Sequence, residues 1–187
     1  MVHGIPSDKV ILKDGDIISI DGCVLLNGYQ ADSAYTFPVG DVAPETMKLL
    51  RTTKECLMLG VSQAIAGKRI GDIGFAVQRH AEEAGFSVVR EFVGHGIGKE
   101  MHEDPEVPNY GRRGNGIVLK DGMCICIEPM ICQGRRNLII EADEWTARTA
   151  DRKPAAHYEF SVAVRNGKAD ILSTFDYIQQ VLGDRFI

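Results

Sequence analysis

Six side chains in this sequence have types and settings suited to chemistry: two histidines and four acids. His95 and His102 stand seven residues apart in GHGIGKEMHEDPEVPNY, residues 94–110, a glycine- and proline-rich stretch with neither helical nor strand period. The four acids lie inside apolar, strand-like runs: Asp21 in ISIDGCVLL, Asp32 in ADSAYTF, Glu128 in CICIEPM and Glu159 in HYEFSVAV. A lone acid at a strand end is ordinarily a solvated residue. Four embedded carboxylates with two imidazoles are instead the donor mixture that hard to borderline divalent ions favour. Buried like charges raise one another's pKa unless a cation intervenes. Two ions of charge +2 would offset four carboxylates, so the set outlines a dinuclear metal site.

The two aspartates can be placed by geometry. Asn27-Gly28 signals a two-residue hairpin turn, so cross-strand partners sum to 55 and Asp32 faces Cys23. Asp21 then lies two residues along on the same face, about 7–8 Å away at the backbone and closer at the carboxylates. Beyond the hairpin, Pro44 suits the first turn of a helix running to about Ala66 and stopped at Gly67. A second helix runs from about Gly71 to Ala84 and ends at Gly85. FSVVREF, GMCICIE, RNLIIEA, WTARTA and HYEFSVAV read as short strands. Helices early and strands late indicate an α+β plan rather than alternating βαβ units. With no repeat, low-complexity tract or linker, residues 1–187 read as one domain.

Composition narrows the class further. At 187 residues and 44% hydrophobic content the chain can bury a sizeable core. A net charge of −5, with acids and bases scattered, provides no basic stripe for a nucleic-acid backbone. No apolar run approaches the roughly 18 residues of a membrane span, and Met1-Val2-His3-Gly4 is not the start of a signal peptide. These features indicate a soluble, cytoplasmic protein. The five cysteines form an odd set without CxxC pairs, so reduced thiols are expected. Cys124 and Cys126 share one strand face as small buried hydrophobes.

In chain order, HGIPSD (3–8), GDIISIDG through ADSAYTFPVG, GHGIGKEMHEDPEVPNY, GMCICIEPM and AAHYEFSVAV resemble the type I methionine aminopeptidases, metallopeptidases of the pita-bread fold. The likeness runs over nearly the whole chain. It implies a curved antiparallel sheet with helices on its outer face. It also implies that Asp21, Asp32, His95, Glu128 and Glu159 bind two divalent ions, cobalt, manganese, iron or zinc, with Asp32 and Glu159 bridging them. His102 is then a catalytic partner of the scissile carbonyl rather than a ligand, Glu128 also moves the proton to the leaving nitrogen, and His3 is a third histidine of the cleft. Met101 and Trp145, with His3 and His102, fall where the family binds the methionine side chain. The implied reaction removes the N-terminal methionine of peptides and nascent chains, in proximity to the ribosome, through a hydroxide that bridges the metals.

The sequence also departs from the family pattern. His157 stands two residues before Glu159 where the family has Gln, and Phe160 follows it where the family has His. His157 shares a strand face with Glu159, where it can support the site or take metal itself. Gly22-Cys23 replaces the β-branched residues usual after the first aspartate. The family has a substantial stretch before HGIP, so the expectation is an N-terminally truncated catalytic domain with exposed apolar surface, unpaired sheet edges and weak activity by itself. Two alternatives are another pita-bread hydrolase, a proline-directed peptidase, and a truncated non-catalytic binding paralogue. HGIP and IEPM favour the methionine enzymes over the first. Retention of all five ligand types argues against the second.

Overall fold

The computed structural model describes all residues from Met1 to Ile187. Strands β1 (Ile17–Leu26) and β2 (Tyr29–Pro38) form a ten-residue hairpin. Its turn uses Asn27 at φ 52° and Gly28 at φ 81°, the two left-handed positions of a type I′ turn. That turn fixes the register: Cys23 pairs with Asp32 and Asp21 with Ala34. β1 is an edge strand, and Ile20, Val24, Leu25 and Leu26 on it are exposed.

Helix α1 (Pro44–Val61) opens with proline in its first turn. It ends five residues short of the expected Ala66, because Ile65 bridges to Arg165 and the Ala66 amide donates to the Arg165 carbonyl. Pairing with a distant segment there replaces another helical turn. Helix α2 (Ile70–Glu83) ends before Gly85, which adopts φ 89°. The apolar stripes Leu49, Leu50, Cys56, Leu57 of α1 and Ile73, Val77, Ala81 of α2 are fully buried, as helical spacing on a single face requires. Gly60 lets the two helices approach the sheet: a Cβ there would come 3.0 Å from Ile127 and 3.1 Å from Val77.

The remaining strands are short: β3 (Ser87–Val88), β4 (Gly94–Gly96), β5 (Glu103–Val107), β6 (Cys124–Ile127), β7 (Met130–Cys132), β8 (Leu138–Ile140), β9 (Ala147–Thr149), β10 (Ala155–His157), β11 (Glu159–Ala163) and β12 (Asp170–Ile171). The main antiparallel sheet has the order β1-β2-β11-β6-β4-β5, with β12 beside β11. Strands β10, β7 and β3 make a second sheet, and β8 pairs with β9. A final helix, α3 (Asp176–Leu182), follows β12 and brings Phe175 and Phe186 against Tyr35. The main core lies between α1, α2 and the sheets.

Residues 94–110 correct the loop expected from sequence. Gly94–Gly96 and Glu103–Val107 are strands of the main sheet. They are too short and glycine-rich to show a two-residue period. The glycines are steric necessities: a Cβ at Gly94 would lie 2.3 Å from the Cys126 carbonyl oxygen, and one at Gly96 2.3 Å from that of Asp104. Gly94→Ala should therefore push β4 away from β6 and cost about 1–3 kcal/mol, the usual range for overpacking. Chemical denaturation of the variant measures this. An unchanged midpoint would mean that β4 accommodates the methyl without moving.

Candidate metal centre

The sheet register brings the acids together. Asp21 and Glu159 both pair with Ala34, from opposite sides of β2. Directly opposed residues share a face, and so do alternate residues of one strand. Asp21, Ala34, Glu159 and Asp32 therefore line the same face. Ile127 pairs with Phe160, so Glu128 follows at the end of β6 opposite Glu159. Ala34 occupies the middle of this group with only a methyl, which leaves room between the carboxylates. Ser161 anchors Asp32 by accepting its amide at 3.0 Å and donating to its carbonyl at 2.9 Å. Asn109, fully buried, donates to the Glu128 carbonyl at 3.0 Å.

His95 sits between the two close-packed glycines of β4. Its Nδ1 lies 2.9 Å from the Gly96 carbonyl, a bond in which the ring must donate. The Nε2 lone pair is thereby left facing Glu128 Oε1 at 3.5 Å. On the other side, His157 Nε2 lies 3.6 Å from Glu128 Oε2, and its Nδ1 lies 4.0 Å from Asp21 Oδ2. Ligand atoms of His95, Cys126 and Glu159 lie within 4.8 Å of one another, as do those of Asp21, His157 and Glu159. Glu159 belongs to both groups.

Burial, then the charges of neighbouring carboxylates, pushes Glu128 and Glu159 well above the usual carboxyl range. Asp21 is also raised, first by burial and further by Asp32, with His157 opposing. Burial lowers both His95 and His157, which favours neutral rings. Without a cation, Glu128 and Glu159 hold their protons to higher pH than ordinary carboxyls do. The buried atoms His157 Nε2 and Glu159 Oε1 also lack hydrogen-bond partners, an arrangement that typically costs about 1–3 kcal/mol per group. A divalent cation would relieve both problems, and neutral imidazoles with carboxylate oxygens are suitable donors. The residues present fit such an ion.

His102 is exposed, with its ring 4.4 Å from that of His95 and nearly edge-on to it. A cavity of about 430 Å³ opens here, lined by His95, His102, Glu103, Asp104 and Glu106 among others. A cavity of about 460 Å³ elsewhere lies against the polar face of α2, away from both donor groups. His3 stacks on Trp145 at 4.4 Å and meets Phe92 edge-on at 5.3 Å. The structure thus brings together His3 and Trp145, both expected in the pocket, and places Phe92 beside His3, a neighbour the sequence did not indicate. Met101 is exposed. Phe160 points away from the acids and packs on Phe175 with ring centroids 4.1 Å apart. Cys124 is half-buried rather than buried. Cys126 is buried beside the donors, and burial, with Glu159, drives its thiol pKa far up. It therefore packs as a neutral thiol, 3.6 Å from the Ser161 hydroxyl.

Residues 1–166 match Metallopeptidase family M24. A methionine aminopeptidase of Clostridium acetobutylicum and methionine aminopeptidase 1 of Bacillus subtilis are each 49% identical over 173 residues, covering 92% of this chain and 69% of theirs. The crystal structure of methionine aminopeptidase from Rickettsia prowazekii superposes with a TM-score of 0.88 at 41% identity, over 90% of this chain and 68% of that one. A prolidase from Pyrococcus furiosus gives a TM-score of 0.72 at 26% identity, over 93% and 45%. The chain belongs to metallopeptidase family M24, and within it to the methionine aminopeptidases. Its architecture is the pita-bread fold of that family, and the family is one that binds divalent metal.

The raised carboxyls predict how binding depends on pH. Metal must displace protons from Glu128 and Glu159, so manganese or cobalt binding to chelator-treated protein should release protons at neutral pH. Affinity should rise with pH until those acids are ionised. Titration calorimetry in buffers of different ionisation enthalpy measures the release. No proton release at pH 7 would show that the acids are already ionised in the metal-free protein.

Proposed function

We propose that this chain is a metal-dependent aminopeptidase that removes the N-terminal methionine of peptides and nascent proteins. The observation that carries the reading is the pair of donor groups sharing Glu159, beside a cavity that the His102 ring borders. Asp21, Asp32, His95, Glu128 and Glu159 are the residues that would hold two divalent ions. Such ions, when bound, act as Lewis acids and bring the pKa of water towards about 7.

The chain's own residues do the rest. His102 donates a hydrogen bond to the carbonyl oxygen as negative charge develops there. Glu128 takes a proton from the attacking water and passes it to the leaving nitrogen. Glu103, Asp104 and Glu106 give the cavity wall a negative field that attracts the ammonium of a free N-terminus. His3, Phe92 and Trp145 offer an aromatic surface, and with Met101 they receive the methionine side chain. Free cysteines throughout and the nature of the substrate agree with a cytoplasmic site of action near the ribosome. The methionine-specific reading is favoured over a proline-directed one because likeness to the prolidase is markedly lower in both identity and superposition.

Removal of metal by a chelator should abolish release of methionine from a Met-Ala peptide. Asp32→Ala should lose bound metal, measured by elemental analysis, and full occupancy in that variant would sink the assignment. His102→Ala should retain metal while kcat falls by about 10²–10³, the usual loss for one transition-state donor. A fall in metal content with unchanged turnover per bound metal would instead make His102 a ligand.

A further inference from the structure

The donor set read from sequence contains one imidazole, His95. The structure presents two. His157 is 3% exposed, and its Nε2 is buried without any hydrogen-bond partner. That atom faces Glu128 Oε2 at 3.6 Å, much as His95 Nε2 faces Glu128 Oε1 at 3.5 Å. Both separations exceed a hydrogen bond. Both are close to the roughly 3–3.5 Å between two donors each about 2.0–2.2 Å from one ion. The other ring nitrogen, Nδ1, lies 4.0 Å from Asp21 Oδ2, so the ring stands between Glu128 and Asp21 with one nitrogen towards each. The two donor groups each contain one histidine: His95 with Cys126 and Glu159, and His157 with Asp21 and Glu159.

We propose that His157 is a direct metal ligand, so that each of the two ions is held by its own imidazole. This rests on the two-ion reading given above. The ion on the Asp21 side would otherwise have carboxylate oxygens as its protein ligands, the preference of magnesium- or manganese-like ions. An imidazole shifts that preference towards cobalt, zinc or iron and tightens the site. Phe160 supports this arrangement indirectly. Its ring is committed to Phe175 on the opposite face of β11, which leaves His157 and Glu159 to face the acids.

The test uses the full chain loaded with cobalt(II). In proton NMR of the paramagnetic protein, each coordinated imidazole contributes one strongly shifted, solvent-exchangeable N–H signal. Wild type should show two such signals, and His157→Gln one, with the weaker cobalt site loosened at least tenfold in equilibrium dialysis. The wild-type signal count stands even where the variant folds poorly, and His157→Asn provides a second replacement. Wild type with two bound cobalt ions and a single shifted imidazole signal overturns the proposal while leaving the two-ion reading intact. Reduced affinity in His157→Gln with the signal count unchanged also overturns it, since the ring would then only position Glu128. Wild type that binds no cobalt overturns the two-ion reading itself.

Discussion

The dominant constraint in this protein is the mutual repulsion of carboxylates that the sheet forces onto one face. Asp21, Asp32, Glu128 and Glu159 converge because of strand register, not because they attract one another. Glu159 is almost completely buried and Asp32 nearly so. Free in solution such groups would separate and hydrate. Here β2 and β6 flank β11 and keep them in place, so Glu128 and Glu159 either hold their protons more tightly or recruit a cation. The folding energy that holds the strands is therefore also what preorganises the site.

That energy comes from the opposite face. Leu49, Leu57, Ile73, Val77, Ile125, Ile127 and Val162 form a core between helices and sheet from which water is excluded. An aromatic cluster of Tyr35, Tyr158, Phe160 and Phe175 continues it. Alternation along β11 divides the labour residue by residue: Glu159 faces the acids while Phe160 joins the aromatic cluster. The strand contributes to cohesion and to chemistry through successive side chains.

Close backbone approach supplies the other half of the positioning. β4 reaches β5 and β6 only because Gly94 and Gly96 have no Cβ. His95 between them is fixed by short strands on both sides and by its own bond to Gly96. Small residues serve the same end at Ala34 and Ser161. Where a ring or branched chain would fill the space, a methyl and a hydroxyl leave it for an ion.

The sequence by itself determined the hairpin, because Asn27-Gly28 allows one turn geometry and that geometry sets which residues face each other. It likewise carried the two helices, whose proline start and glycine stops act locally, and the identity of the acids, since charge inside an apolar run is visible without coordinates. The strands containing Gly94–Gly96 and Glu103–Val107 were illegible: they are too short and glycine-rich to show a period, and their place in the sheet depends on β4 also pairing with β6 at Ile125. The end of α1 was set by Arg165, a residue about a hundred positions on. Only tertiary structure decided that Phe160 belongs to the core, that Phe92 joins His3 and Trp145, and that the Nε2 of His157 is buried among carboxylates with nothing to bond. Local rules fix the turn and the helix, whereas what a side chain faces across a sheet depends on which distant strand lies beside it.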